Sequence, residues 1–275
     1  MKVSFILIKV TAAMLLLLSF SNLYSQKMDN DNQGLILKNQ IKFSISPVLY
    51  DNLQIANFGE KILKSNPCVS YEGNISYYQH IKKEFGFNIG IGLTLAPFNT
   101  NYKLNVPPNS LFQTDSFKYE EFDSFFYDYM QSLLVFPLSA QKIFPFNKSS
   151  KYFISLEGGV KFNMIFAFPY SIEQEESAMV NDTTESQLYS FNLYDTGKRN
   201  LISCFFKFGI LKLTKKQNTL QCNFVLHYSP MKSGIGTYKF HNLNYDSYGT
   251  VLQNINYIGL DFTYGLTLSR KPKNK

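Results

Sequence analysis

Six charged residues are the side chains of this sequence best placed to interact with one another. Three are basic and three are acidic, and all lie on the polar faces of segments that alternate in polarity: Lys42, Glu72, Glu157, Lys161, Lys207 and Asp261. If these faces point into a narrow interior, unpaired charges there would be costly, so we expect ion pairs. The set is interpreted either as a gated or proton-conducting plug or as a salt-bridged filling that excludes water. We favour the filling.

A second group of residues has the types needed for nucleophilic catalysis. His227 and Ser229 end one segment, and His241 and Asp246 follow in the next connection. A lipid-modifying hydrolase needs a nucleophile, a base and an orienting acid close together. Because His, Ser and Asp often occur together in a long polar connection by chance, we predict no enzyme activity and assign no catalytic residue.

The acidic and sulfur-containing residues do not form a recognisable metal motif. The acidic cluster, which could bind divalent cations at a lipopolysaccharide surface, comprises Glu173, Glu175, Glu176, Asp182 and Glu185. Its spacing does not match a calcium-binding EF-hand loop, so we predict a solvated, mobile loop. Cys68, Cys204 and Cys222 have no metal-ligand spacing to a histidine and are interpreted as packing residues. The sequence therefore predicts neither a metal nor a cofactor.

The segments that carry the six charged residues are predicted to be β-strands. From Phe85 to Ala96, apolar residues alternate with Gly, Asn and Thr, and the segment from Ile258 to Ser269 repeats the pattern. A period of two residues is typical of strands, whereas a helix would scatter both sets around its circumference. Six weaker segments share the pattern: Ile41 to Tyr50, Cys68 to His80, Tyr129 to Ala140, Tyr152 to Ile165, Leu201 to Leu213 and Leu220 to Ser229.

The connections between the eight segments alternate in length. The long ones are Asp51 to Pro67, Pro97 to Asp128, Phe166 to Asn200 and Pro230 to Tyr257. Transmembrane barrels have short periplasmic turns and long extracellular loops. The sequence therefore predicts an all-β fold, a transmembrane antiparallel up-and-down β-barrel of about eight strands with both termini on the periplasmic side.

Neighbour relations in such a barrel predict which charges meet. The fifth and sixth strands are adjacent, which favours a pair between Glu157 and Lys207. Closure brings the first and eighth strands together, which favours Lys42 with Asp261. An eight-stranded barrel has an interior just wide enough for side chains to fill.

The N-terminus has the features of an export signal. Lys2 and Lys9 precede or flank the apolar run from Val10 to Phe20, and Ser25 suits the position before a cleavage site. The predicted organisation is a cleaved signal peptide at 1–25, a linker at 26–39, the barrel at 40–269 and a basic tail at 270–275. The formal net charge of +7 is spread over turns rather than gathered on one face, so no nucleic-acid binding is predicted.

Three short passages resemble a known family. Leu133 to Leu138, Tyr152 to Gly159 and Tyr257 to Leu266 are similar to strands of the PorT-like group of eight-stranded barrels, within the OmpA/OmpX-like superfamily. The resemblance implies this fold and an outer-membrane location, and it carries no catalytic residues.

The expected function is a non-enzymatic role in the cell envelope. The partners would be outer-membrane lipid, lipopolysaccharide and envelope proteins contacted through the loops. A role in secretion or surface assembly is implied only by the resemblance. The alternative is passage of small solutes or hydrophobic ligands across the membrane, which requires an open lumen.

Overall fold

The structure is a computed structural model that describes residues 39–82, 84–105, 118–120, 129–146, 151–167, 171–181, 184–196, 199–214, 218–243 and 245–268. The predicted signal peptide, nearly all of the linker and the basic tail lie outside these ranges. Within the described residues, no helix has the length and apolar character needed to cross a membrane.

Eight strands form one closed antiparallel barrel, in which strands that follow one another in the chain lie side by side. The first and last strands pair with each other, which closes the sheet. In chain order the barrel strands are β1 (Gln40–Tyr50), β3 (Cys68–Lys82), β4 (Phe85–Phe98), β7 (Tyr129–Pro145), β8 (Tyr152–Ala167), β11 (Asn200–Leu213), β12 (Thr219–Tyr228) and β15 (Tyr257–Thr267). The predicted fold class, a closed up-and-down barrel of eight strands, is confirmed.

Polarity alternates along the barrel strands as the sequence pattern predicts. On β4, the side chains of Ile89, Ile91 and Leu93 are exposed on the outer surface, whereas Asn88 and Thr94 are buried inside. Successive strand residues point to opposite faces of a sheet. The apolar residues therefore form the outer wall of the barrel and the polar residues fill its interior.

The described parts of the long connections contain further strands. Three of them contribute five strands to a second antiparallel sheet, called here the outer sheet: β2 (Gln54–Gly59), β9 (Ser171–Asn181), β10 (Thr184–Asp195), β13 (Lys232–Phe240) and β14 (Ser247–Asn254). Their order in the sheet is β2, β14, β13, β10, β9. The remaining long connection contributes the short pair β5 (Lys103–Asn105) and β6 (Lys118–Glu120).

The prediction of a loop for the acidic segment is therefore wrong, whereas Glu173 and Glu175 are exposed to solvent, and Asp182 lies outside the described residues. Glu173, Glu175 and Glu176 lie within β9, which pairs with β10 along most of its length. The physical reason is a hydrophobic core beneath the outer sheet, which stabilises strand pairing. Its buried residues are Leu53, Leu63, Phe98, Tyr102, Ile172, Leu188, Tyr189, Phe191, Leu193, Tyr238, Phe240 and Val251.

The barrel interior contains an apolar cluster and a network of polar and charged side chains, and Tyr257 belongs to both. The apolar cluster contains Val48, Tyr50, Ala96, Leu133, Val135, Ile165, Leu201, Val225, Ile255 and Tyr257. The residues of this cluster lie near the strand ends that lead into the long connections. The polar network contains the charged residues considered below.

The outer sheet depends on its core, so truncating a core side chain should loosen it selectively. Phe191 is fully buried (0% exposed), whereas Tyr194, further along β10, is 46% exposed. We expect Phe191→Ala to destabilise the outer sheet by about 3–5 kcal/mol, the usual cost of a large-to-small core substitution. Hydrogen exchange of β10 and β13 amides in the folded protein measures this loss.

Tyr194→Ala, on the opposite face of the same strand, is the matched control and should leave exchange nearly unchanged. Equal protection of the outer-sheet amides from hydrogen exchange in both variants would show that this core does not stabilise the sheet.

Candidate functional site: the polar interior of the barrel

Inward-facing positions of five barrel strands bring the six charged residues into the barrel interior. Five of them, Lys42, Glu72, Lys161, Lys207 and Asp261, are buried. The sixth, Glu157, is partly buried and lines a small internal cavity together with Lys42, Lys161 and Lys207. Alternation along each strand places all of them on the interior face.

The first ion pair joins β8 to β3. The Lys161 ammonium lies 2.6 Å and 2.7 Å from the two carboxylate oxygens of Glu72. The Tyr257 hydroxyl accepts a hydrogen bond from Lys161 at 2.5 Å and donates one to Glu72 at 2.6 Å. Because β7 and β4 lie between β8 and β3 in the barrel wall, this pair reaches across the interior.

The second ion pair joins β11 to β15. Lys207 Nζ lies 2.8 Å from Asp261 Oδ1, which also accepts a hydrogen bond from Ser46 at 3.0 Å. Asp261 Oδ2 accepts hydrogen bonds from Asn223 at 3.0 Å and Thr263 at 2.8 Å. Both oxygens of this buried carboxylate are therefore satisfied, as a buried charge requires.

The third cation is held by neutral groups. Lys42 donates to Gln141 Oε1 at 2.5 Å, and its ammonium lies 4.3 Å from the centre of the Tyr78 ring. Gln141 in turn donates to Ser155 at 2.7 Å and to Gln221 at 3.1 Å. A chain of uncharged amides and hydroxyls thus continues the network.

The partners differ from those that the sequence predicts. Lys207 and Glu157 are opposite each other in the β11–β8 register, yet Lys207 bonds to Asp261, and Glu157 accepts from Ser139 at 2.5 Å. Lys42 bonds to Gln141 rather than to Asp261. Adjacent-strand reasoning fails because the interior is narrow enough for lysine side chains to reach strands that are not neighbours.

Sequence reasoning also missed the uncharged members of the network. Gln141, Asn223 and Tyr257 lie on the same inward-facing alternation as the charges. That two-residue period is the signal that could have identified them.

Side chains leave little free space around the charged residues. The internal cavity has a volume of about 20 Å³, enough for a water-sized molecule. Its lining includes Asn88 and Gln221, whose side chains have buried polar atoms without a protein hydrogen-bond partner. With the apolar cluster above it, the polar network supports the interpretation of a filled barrel.

The two histidines considered for catalysis, His227 and His241, lie in separate places. His227 is buried, with Nε2 2.8 Å from Ser203 Oγ and Nδ1 2.8 Å from the carbonyl oxygen of Ile255. Ser229 instead donates to the backbone carbonyl of Met231 at 3.1 Å. His227 is therefore paired with Ser203 on β11 and not with Ser229, the serine that was considered beside it.

His241 forms a different serine pair on the outer sheet. Its Nε2 is 2.8 Å from Ser190 Oγ. Partial burial and the nearby Lys239 lower the pKa of His241, and Glu175 opposes them. The catalytic candidates therefore do not form one site.

The metal and cysteine candidates are also dispersed. In the part of the chain that the structure describes, no group of three or more His, Cys, Asp or Glu side chains is placed to hold a metal ion. Cys68 is buried, as a packing residue would be, whereas Cys204 and Cys222 are exposed. All three are free thiols.

Removing one member of the Lys161–Glu72 pair should be more damaging than removing both. Glu72→Gln leaves the Lys161 charge buried without its counter-charge, and we expect a loss of about 3–5 kcal/mol in unfolding free energy. Replacing both residues, with Glu72→Leu and Lys161→Met, should recover part of that loss. The urea concentration at the unfolding midpoint measures both effects.

Glu173→Gln removes an exposed carboxylate from the outer sheet and serves as the control. A midpoint for Glu72→Gln equal to that of Glu173→Gln would contradict a structural role for the internal pair.

Comparison with solved structures gives outer-membrane β-barrels at low similarity. The outer-membrane protein OprG of Pseudomonas aeruginosa is 10% identical, with 86% of this chain and 100% of that chain covered and a TM-score of 0.42. The N-terminal β-barrel domain of OprF of Pseudomonas aeruginosa is 8% identical, with 85% and 100% covered and a TM-score of 0.34. No protein-family model and no curated protein sequence matches the chain. The fold of this chain is therefore defined by its own strand pairing.

Proposed function

We propose that this chain is an integral outer-membrane protein with a non-enzymatic role, in which a filled barrel anchors the outer sheet for contact with a partner in the cell envelope. The observation that carries the proposal is the combination of an apolar outer wall with an interior closed by packed side chains.

The outer wall supports insertion in a membrane. Large apolar side chains are exposed on all eight barrel strands, among them Ile45, Ile75, Ile89, Leu138, Phe162, Ile210, Leu226 and Leu260. Soluble monomers rarely expose a contiguous apolar surface of this kind. A closed barrel also satisfies its backbone hydrogen bonds internally, which a lipid environment demands.

The interior argues against the alternative of solute passage. A route through the barrel would have to cross both the apolar cluster and the ion-paired network. Opening the network would separate buried charges, and opening the cluster would expose its core residues to water. A filled interior suits an anchor better than a conduit.

The outer sheet supports partner binding. Its outward face carries exposed apolar side chains, including Phe58, Tyr194, Ile235 and Tyr248. The rings of Phe58 and Tyr248 stack at a centroid distance of 5.5 Å. Exposed aromatic residues on a rigid scaffold are common anchors of protein interfaces. The PorT-like resemblance favours a partner in secretion or surface assembly, and lipopolysaccharide would surround the barrel at the same end.

The membrane proposal is tested by heat-modifiability in cells that express the protein. We expect the protein in the outer-membrane fraction, with a faster-migrating band in unboiled samples, because the closed barrel resists detergent unfolding until it is heated. Densitometry of the two bands in boiled and unboiled samples is the measurement.

The same folded preparation placed in liposomes should release a trapped small solute no faster than protein-free liposomes. A soluble protein without a band shift would contradict the membrane proposal. Rapid solute release from liposomes would favour the passage alternative.

Partner contact is tested by a photo-crosslinking amino acid placed at Ile235 on the outer sheet. We expect a discrete crosslinked species in living cells, and we expect Phe191→Ala to reduce it because that change loosens the sheet. The same crosslinker at Ile91, on the outer wall of the barrel, is the control. Identical crosslinked bands from both positions would contradict a partner site on the outer sheet.

A further inference from the structure

The outer wall of the barrel contains a groove of about 680 Å³. The groove spans four adjacent strands, β1, β15, β12 and β11. Its apolar side chains include Ile45, Ile210, Leu220, Cys222, Phe262 and Tyr264. Its volume lies within the range of roughly 300–1,000 Å³ that is usual for small-molecule sites.

A small residue, Cys222, among larger outward-facing side chains accounts for the groove. Across the four strands, one outward-facing row reads Ile210, Cys222, Phe262 and Ile45. On β12, the outward neighbours of Cys222 are Leu220 and Phe224. The thiol of Cys222 is therefore the shortest side chain within a ring of larger apolar groups, and the wall is indented there.

One end of the groove is polar. The next outward-facing row, toward the short turn between β11 and β12, contains Lys212, Leu220 and Tyr264, which are opposite one another on adjacent strands. Lys212 is exposed, and its ammonium lies 5.4 Å from the centre of the Tyr152 ring. The Tyr264 hydroxyl accepts a hydrogen bond from Asn218 at 2.8 Å. An apolar trough thus ends at a cation and a pair of hydrogen-bonding groups.

We propose that this groove binds one acyl chain of an anionic glycerophospholipid, with the lipid phosphate beside the Lys212 ammonium. The inference rests on the proposed membrane location. The apolar lining of the groove suits an acyl chain, and the charge of Lys212 is complementary to the phosphate, as expected for a lysine at a membrane interface. The polar end lies at the short turn between β11 and β12, opposite the outer sheet, so the lipid comes from the periplasmic leaflet.

The test uses the full-length folded protein purified in detergent and mixed with phosphatidylglycerol, with retained lipid counted by native mass spectrometry. We expect one retained lipid on the wild-type protein. Cys222→Phe fills the indentation, and we expect at least tenfold weaker retention.

Cys204→Phe is the matched control. Cys204 is also an exposed, free thiol on the outer wall, and it lies on β11 outside the groove. This change should leave retention unchanged, which separates filling of the groove from a general effect of a large ring on the barrel surface.

Lys212→Gln tests the headgroup contact. We expect the preference for phosphatidylglycerol over phosphatidylcholine to fall about fivefold, which corresponds to about 1 kcal/mol for one lysine at an anionic lipid surface. An unchanged preference would overturn the assignment of the phosphate to Lys212.

The band shift on heating separates failure of the groove from failure of the membrane proposal. A shifted wild-type protein whose lipid retention is unaffected by Cys222→Phe would overturn the groove alone. A wild-type protein without a shift would overturn the membrane location and the groove with it.

Discussion

The pairing of the first barrel strand with the last is the constraint on which the rest of this structure depends. β1 bonds to β15 on one side and to β3 on the other, so the eight-stranded sheet has no free edge. Closure divides each strand into residues that face outward and residues that face inward, with no third environment. The apolar outer wall and the filled interior are two consequences of that single division.

Filling the interior places specific demands on the sequence. Gly86 lies beneath the ring of Tyr78, and a side chain at that position would overlap the ring. Tyr78 in turn lies beneath the Lys42 ammonium, which donates a hydrogen bond to the neutral amide oxygen of Gln141. Glycine, an aromatic face and a neutral amide thus accommodate a buried cation that would otherwise be costly. The carboxylates of Glu72 and Asp261 form ion pairs with the other two buried lysines.

The sequence was sufficient for the barrel strands because their signal is local. A two-residue alternation in each segment, interrupted by turns, located all eight strands, although β7 continues beyond the predicted end at Ala140 to Pro145. The outer sheet was missed because its pairings are distant in sequence, as between Gln54 and Leu252, and because the glutamates of β9 obscure its alternation. The ion pairs were missed because side-chain reach across the interior, rather than strand adjacency, selects Asp261 for Lys207.

The outer sheet turns three connections into one unit. The β9–β10 hairpin leaves the barrel from β8 and returns to β11, and the β13–β14 hairpin leaves from β12 and returns to β15. Pairing of β10 with β13 joins the hairpins, and β2 adds a strand from the first connection. Their shared core makes independent movement of the three connections costly. A partner that binds the outward face would therefore meet a preorganised surface, and little conformational entropy would oppose binding.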